Sequence, residues 1–552
     1  MTARAQPPER VASKLDAQLQ ARVRAGDPKA QRVIIRTTSG DIPALTNALE
    51  SNGHSILRRH SIINALTARV PVAAIEGLSR LPFVQSISID ADVVADQTSS
   101  GDSTLRGTLA LPVQAPAGNR VGVVLIDSGL EAGPEFGDRI AGFYDFTLDG
   151  RVASPTDDYG HGTHVAGLIA GSGDLSSGKR YRGVAPKARL IALKVLDHNG
   201  AGTTSDVISA IEFATVNKDR LGVDIINLSL GHPIYESAAS DPLVQAVEAA
   251  VRAGIVVVVS AGNYGVSSTT GLPGYAGILS PANAPSAITV GSVKAFETNT
   301  RIDDRVAPYS SRGPTWYDGG AKPDLVAPGH GLVAAGARSS SLYINNPALR
   351  VGDAYLRLSG TSMAAAVVSG TVALIVEANR TAFPTAPLKP NAVKGILQYT
   401  ALPVRDAQGS AYDYLTQGAG SVNPAGAIEL ATRLDPSTTL GAWWLTNRVD
   451  EWTVVDGQTL AWARTVAWGD ALSDGPALYY NELAWTQNII WGSNIVWGNN
   501  IIWGSNIIWG SNIVWDDNII WGSSAIGASD GTVSWQPIDG PGEPTGSILT
   551  SP

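Results

Sequence analysis

Four short stretches of the chain place reactive residue types where a polypeptide turns. Asp127 ends the apolar run V-L-I-D-S-G, His161 and His164 open H-G-T-H-V-A-G, and Asn263 closes S-A-G-N. Ser362 lies in L-S-G-T-S-M-A-A-A, between a glycine–threonine pair and a run of alanines. Each has an ordinary structural reading. Ser362 reads as an N-cap on a small-residue helix, and Asp127 as the aspartate of a turn. The histidines, spaced i, i+3, read as packed or capping groups. That spacing also suits a zinc ion, but no H-E-x-x-H pattern or acidic third ligand accompanies it. Together, an aspartate, a histidine and a serine at strand ends and helix starts form the set that general-base nucleophilic catalysis requires. The histidine takes the serine proton, the aspartate fixes the imidazole tautomer, and the alkoxide attacks a carbonyl carbon. The Asn263 carboxamide and the free N–H groups at the start of the serine helix are donors suited to the resulting oxyanion.

Elements that could hold such a set are legible around it. Strand candidates are V-G-V-V-L-I-D, A-R-L-I-A-L-K-V-L, V-D-I-I-N-L-S-L-G, I-V-V-V-V-S-A-G-N and A-I-T-V-G-S-V. Helical patterns at His161–Gly171, Ser205–Arg220 and Pro242–Ala253 separate them. Continuous apolar strands alternating with helices predict an α/β fold, a doubly wound parallel sheet covered on both faces. Ligands of such sheets bind beyond the carboxyl ends of the strands, where Asp127 and Asn263 stand. This region is expected over residues 98–434. Ahead of it, residues 1–30 read as a loose polar leader, and residues 31–97 as a small α+β unit of β-α-β-β-α-β order. A linker rich in Asp, Ser, Thr and Gly spans 95–107.

Beyond Leu434 the composition changes, and thirteen of the fourteen tryptophans lie there. Residues 435–484 read as a linker or extension. Over 485–524 a unit close to N-I-I/V-W-G-S repeats, with Trp485, Trp491, Trp497, Trp503, Trp509, Trp515 and Trp521 at intervals of six. An even period keeps every Trp on one face of a strand. The tryptophans either bury one another in a stacked solenoid or present a surface to polysaccharide, cell wall or partner chains. A Gly-, Ser- and Pro-rich tail fills 525–552.

Composition excludes several function classes. A net charge of −9 with no basic block argues against a nucleic-acid partner. With no cysteine in 552 residues, disulfides, thiol catalysis and thiolate zinc sites are ruled out. No apolar run is expected to reach the roughly 18 residues of a membrane span; the best, Ile255–Val259, reads as a buried strand. The N-terminal residues show no apolar core of a signal peptide.

Over about residues 105–430 the chain resembles the subtilisin-like serine proteases, the subtilases. The motifs carrying the resemblance are I-D-S-G, H-G-T-H-V-A-G, I-N-L-S-L-G, S-A-G-N, G-T-S-M-A-A-A and Q-G-A-G-S-V-N-P, in the family's order. It implies a subtilisin-like fold and a serine endopeptidase acting on protein or peptide substrates. It further implies Asp127, His161 and Ser362 as the triad and Asn263 in the oxyanion hole. Ser229, Leu230 and Gly231 fall where the family pairs substrate backbone and walls the S1 pocket. The resemblance selects His161 over His164, which becomes structural. His232 departs from the pattern, since many members carry a second glycine there, so the pocket's size does not carry over. The stretches 264–280 and 337–355 read as insertions able to reshape substrate access.

Residues 31–97 match an inhibitor-type propeptide in position and element order, which implies a zymogen cut near 96–107 with its own propeptide as a partner. No cofactor is implied for catalysis. A structural calcium of the kind many members bind has candidate ligands in Glu135, Asp138 and Asp174. The family implies secretion or a cell-surface location. The alternative is an idle subtilase scaffold attached to a surface through the Trp repeats. A lipase or esterase is disfavoured, because G-T-S-M-A is not the G-x-S-x-G nucleophile elbow.

Overall fold

The computed structural model describes residues 14–486 except 16, 25–29, 39, 61–64, 90–103, 113, 149, 235–237, 239–240, 268–269, 469–470 and 475. The chain divides into two compact units, Met1–Ser99 and Ser100–Pro552.

The first unit contains helix α1 (Ala17–Arg24), strand β1 (Ala30–Thr37), α2 (Ile42–Ser51), β2 (Ser55–His60), β3 (Ala65–Pro71), α3 (Val72–Ser79) and β4 (Val84–Ile89). Its strands form an antiparallel sheet in the order β2-β3-β1-β4. Alternate residues Val33 and Ile35 of β1, and Leu66, Ala68 and Val70 of β3, bury one face against Leu45 and Leu49 of α2 and Ile75 of α3. The expectation of a loose leader is corrected here. Residues 17–24 are helical, and Leu19 is fully buried in the same core. Leu15 and Val23, four residues to either side, pack against the same core, and the polar residues between them masked this stripe.

The second unit opens with α4 (Thr104–Thr108), which lies in the stretch expected to be linker. Leu105 is buried, and the Arg106 guanidinium donates to the Val184 carbonyl at 2.8 Å. A nine-stranded sheet follows, built from β5 (Gly122–Asp127), β6 (Ile140–Asp145), β7 (Arg151–Val152), β8 (Arg189–Lys194), β9 (Ile225–Leu228), β10 (Val256–Ser260), β11 (Ile288–Lys294), β12 (Arg305–Val306) and β13 (Leu325–Pro328). The order is β12-β11-β10-β9-β5-β8-β6-β7, with β13 also on β11, and only β7 and β12 run antiparallel. β6 and β13 are absent from the sequence-based strands. The first buries only alternate residues and carries a glycine, and the second is four residues ending in proline.

Strand alternation divides the core. Val123 and Leu125 of β5 join the cluster containing α5 (His161–Ala170) and α10 (Thr361–Ala382). Val124 and Ile126 join the cluster of α6 (Thr204–Val216) and α8 (Pro242–Arg252) on the opposite face. Between these helices lies the short α7 (Lys218–Leu221). The start of α8 follows from sequence: the Asp241 carboxylate accepts from the Leu243 and Val244 N–H groups, and Pro242 occupies the first turn. The α10 helix corrects the apolar-run expectation. By length and composition it could cross a membrane, at a mean hydropathy of 1.6, but 94% of that window is buried inside the protein. Its Ala, Gly and Ser residues let it pack in the centre of the unit.

Around this frame lie a small sheet of β14 (Leu332–Ala335), β15 (Arg350–Val351) and β16 (Tyr355–Leu358), with α9 (Ser341–Asn345), and then α11 (Pro390–Tyr399), α12 (Tyr414–Gln417) and α13 (Pro424–Ala431). Beyond residue 434 the chain forms two hairpins, β17 (Trp452–Val455) with β18 (Gln458–Ala461) and β19 (Thr465–Trp468) with β20 (Ala471–Asp474), then α14 (Leu483–Thr486). Trp444, Trp462 and Trp485 from this segment are buried in the main core. Trp485, the first hexad tryptophan, packs against Gly395 of α11, where an added Cβ would lie 2.9 Å from the indole. The remaining hexads and the tail lie outside the described residues.

A buried charge cluster ties β11, β13 and α11 together. The Lys322 ammonium lies 2.7 Å and the Lys394 ammonium 2.9 Å from Asp324, and both donate to the Ala287 carbonyl. Burial, only partly offset by Asp324 and reinforced by Lys394, pulls the Lys322 pKa down to about 7. Removing the shared carboxylate leaves two buried ammonium groups facing each other. Asp324→Asn is therefore expected to cost about 3–5 kcal/mol of stability, read by urea unfolding in a Ser362→Ala background.

Candidate active site

Parallel register decides where the site forms. β5, β9 and β10 are neighbours running in one direction, so their carboxyl ends share an edge. Asp127 ends β5, Ser229 follows β9 and Asn263 lies just beyond β10. β5 is the strand from which the chain leaves first to one side and later to the other, the position at which α/β sheets open a crevice.

Asp127 and His161, 1% and 2% exposed, meet at that edge. The His161 Nδ1–H faces both carboxylate oxygens of Asp127, at 2.8 and 3.0 Å. That contact leaves Nε2 as the imidazole's lone-pair nitrogen. Burial disfavours the imidazolium, but the charge and hydrogen bond of Asp127, joined by the charge of Asp157, outweigh it. The net effect holds the His161 pKa above 6.5. His161 is the first residue of α5, and the turn before it needs glycine. Gly160 has φ of 104°, and a Cβ there would meet the Ser340 hydroxyl at 2.3 Å. Ser340 belongs to the stretch 337–355, whose backbone also donates to the Asp158 and Tyr159 carbonyls. That stretch therefore buttresses the approach to His161.

Sequence reasoning missed what aligns this pair. Asp157, 2% exposed, accepts from Ser128 Oγ at 2.8 Å, the Gly160 N–H at 2.7 Å, and the Thr163 N–H and hydroxyl at 2.8 and 2.7 Å. It thereby clamps the turn after Asp127 to the first turn of α5. Burial pushes its own pKa up, against those hydrogen bonds. Lys194, buried at the end of β8, reaches the Ser128 carbonyl at 2.9 Å and fixes the same turn. The available signal was an aspartate shortly ahead of a helix start. His164 lies on the inner face of α5 and donates through Nε2 to the Leu332 and Leu356 carbonyls at 3.2 and 3.1 Å. Burial and the neighbouring His161 pull its pKa down to about 3, so it is neutral and holds α5 to β14 and β16.

Ser362 is not the cap of its helix. α10 begins at Thr361, with Gly360 as N-cap, so the helix starts one residue earlier than the sequence suggested. Ser362 is 5% exposed, and its hydroxyl donates to the Ser229 carbonyl at 3.3 Å, while Ser229 Oγ donates back to the Ser362 carbonyl at 3.1 Å. Among the described residues the Ser362 hydroxyl makes no hydrogen bond to His161. Thr361, another unanticipated contributor, orients Asn263. Its N–H and hydroxyl donate to Asn263 Oδ1 at 2.9 and 3.1 Å, and its Oγ1 accepts from the Gly262 N–H at 3.1 Å. With the oxygen so engaged, the Asn263 Nδ2 group and the Ser362 N–H are the two donors at this turn that have no acceptor among the described residues.

Ser229 thus touches the serine turn directly. Leu230 is buried, and Gly231 lies against the Ser280 carbonyl and the Leu279 side chain. His232 is also buried. Its Nδ1–H donates to the Pro233 carbonyl at 2.7 Å, and its backbone pairs with Ser280.

The carboxylates considered for calcium do not fit an ion. Glu135 accepts from the Gly173 and Leu175 N–H groups and from the Tyr355 hydroxyl. Asp174 pairs with Lys179 at 2.9 Å. Arg139 supplies the local cation: its guanidinium donates to the Ala170 and Glu135 carbonyls and feels the charges of Glu135, Asp138 and Asp174.

Comparison with known proteins gives the family. Residues 118–426, more than half the chain, match the sequence profile of the subtilase family, peptidase S8. Serine protease AprX of Bacillus subtilis (strain 168) is 37% identical over 378 residues, covering 67% of this chain and 80% of that protein. The chain belongs to the subtilase family. Subtilisin E of the same organism is 34% identical over 61% of this chain and 76% of its own length. A solved structure titled "S41 Psychrophilic Protease" is 26% identical, spans 59% of this chain and 99% of that one, and gives a TM-score of 0.47. As a subtilase, the protein is a serine endopeptidase with the family's α/β fold and parallel sheet, and it requires no cofactor for catalysis.

The clamp on the subtilase turn is open to test. Asp157→Ala strands the Gly160 and Thr163 N–H donors. It is expected to lower stability by about 1–3 kcal/mol and to move the His161 titration to lower pH, followed by thermal melts and by NMR of the imidazole.

Proposed function

We propose that this subtilase cleaves peptide bonds through Asp127, His161 and Ser362, with Asn263 and the Ser362 N–H as the oxyanion hole. The observation that carries the reading is the buried Asp127–His161 contact, which presents a basic Nε2 at the edge where the Ser362 hydroxyl lies beside two unused N–H donors. Nε2 removes the Ser362 proton as Oγ attacks the substrate carbonyl carbon. The carbonyl electrons move to oxygen, which accepts from Asn263 Nδ2 and the Ser362 N–H. The imidazolium, stabilised by Asp127, returns the proton to the leaving amine as the C–N bond breaks. Water then attacks the acyl-enzyme by the same steps, with His161 again as base. In this mechanism the serine hydroxyl leaves the Ser229 carbonyl for Nε2, a contact of the kind that commonly tightens only when substrate binds. Ser229, Leu230 and Gly231 pair the substrate backbone and wall the S1 pocket.

The N-terminal unit fits a propeptide: it has a core of its own, the order β-α-β-β-α-β after α1, and a position ahead of the protease region. The burial of Leu105 and Arg106 in the second unit supports a cut ahead of them, within the 96–107 stretch. Residues 98–434 then form the protease and 435–484 its extension, and the hexads after Trp485 serve as a contact for a cell surface or polysaccharide. The enzyme works outside the cell or on its surface.

A fluorophosphonate probe is expected to label processed wild-type protein at Ser362 and to leave Ser362→Ala unlabelled and full-length. An unlabelled wild type would instead favour the idle scaffold. Asn263→Ala should reduce kcat about 10²–10³-fold, the size such a donor has in subtilisin. Only neutral His161 can accept the serine proton, so kcat/KM should fall as pH drops through a value above 6.5. Asp127→Asn should shift that limb downward and reduce kcat about 10⁴-fold.

A further inference from the structure

Beyond β9 and β10 the chain keeps two strands open with glycine. Gly231 follows Ser229–Leu230 on one side, and Gly262 precedes Asn263 on the other. Both stand next to the serine turn, through Ser229 on Ser362 and Asn263 on Thr361. A substrate side chain adjoining the scissile carbonyl would enter between them, and glycines there would ordinarily leave a deep slot. In this chain the slot is occupied. Leu279 lies across both glycines: a Cβ on Gly231 would meet its Cβ at 3.2 Å and Cδ1 at 3.4 Å, and one on Gly262 would meet its Cγ at 2.9 Å and Cδ1 at 3.1 Å.

The placement of Leu279 is fixed from both sides. Its N–H donates to the Ala261 carbonyl at 3.2 Å, and the next residue, Ser280, exchanges two 2.9 Å backbone bonds with His232. The strand ends and the 279–280 backbone therefore form one hydrogen-bonded layer, with the leucine held over its glycines. Leu279 is half-buried, with part of its surface open, as befits a side chain lining a cleft rather than filling the core. His232, the departure from the family pattern, is occupied with Pro233 and Ser280, so the size of the slot falls to Leu279.

We infer that Leu279 is the specificity-determining floor of the S1 pocket, and that the protease takes peptides with small P1 side chains such as alanine over aromatic ones. The inference rests on the subsite assignment above. An isobutyl group lying on both glycines takes up the depth that a phenyl ring requires, while a methyl group still contacts the leucine. Each methylene that cannot be accommodated, or that finds no wall, changes kcat/KM about 10–200-fold.

The test uses the processed full-length enzyme and a peptide p-nitroanilide series differing only at P1, Ala against Phe, with active sites titrated by fluorophosphonate. Wild type is expected to favour Ala by about tenfold or more in kcat/KM. Leu279→Gly should raise the Phe:Ala ratio of kcat/KM by about tenfold, measured per active site that the probe still titrates. Leu279→Ala is the milder companion should the glycine variant fold poorly, and should move the ratio in the same direction. A wild type that prefers Phe, or a Phe:Ala ratio unmoved in a variant that still labels, overturns the inference. Loss of labelling in the wild type itself would instead strike the triad assignment.

Discussion

The site depends on one buried contact, a carboxylate and an imidazole taken out of water together at the end of a central strand. The Asp127 carboxylate would not be tolerated alone at such burial, because an unpaired charge there costs several kcal/mol. Each is therefore held to the other, and their surroundings are built to keep the distance short. Asp157 gathers four donors from the two segments involved, and Lys194 fixes the intervening turn. The close approach is possible only because backbone meets backbone. A side chain on Gly162 would lie 2.2 Å from the Gly129 carbonyl. Electrostatic need and steric fit thus act on the same few residues.

The serine side of the site follows a different logic, one of leaving donors unused. Asn263 has its oxygen engaged by Thr361, which forces the amide nitrogen to face the other way. The first turn of α10 contributes an N–H that no helix carbonyl can reach. A helix start and an oriented carboxamide together make a small region of positive potential without any formal charge. It is preorganised, because both groups are fixed by the backbone of the strands and helix that carry them.

Much of this was legible in the sequence, and the reasons differ by residue. Asp127 and Asn263 close apolar runs, and Ser362 opens an alanine run, so their place at strand ends and a helix start follows from local pattern. Five strands and the helices between them were visible because both faces of the sheet are covered, which makes the strands continuously apolar. Lys194 and Thr361 were not legible, since their roles arise from partners far along the chain, and of Asp157's contacts only the local ones to Gly160 and Thr163 were within reach of the sequence, not the one to Ser128. Leu279 sits in a loop with no periodicity, and only the folded strands bring it over Gly231 and Gly262. α10 escaped as an apolar helix because its alanines, serines and glycines dilute a hydropathy reading while suiting a crowded interior. The leader helix escaped for the opposite reason, a sparse stripe of Leu15, Leu19 and Val23 among polar neighbours.

Trp485 carries a consequence for how this protein is partitioned. The family match stops at residue 426, yet the interior it describes is closed by Trp444, Trp462 and Trp485 from the following sixty residues. Gly395 has no side chain because an indole occupies its space. The unit that is inherited and the unit that is cohesive therefore have different ends. A chain cut at the family boundary would lose the first tryptophan, and that loss would open a hole beneath α11.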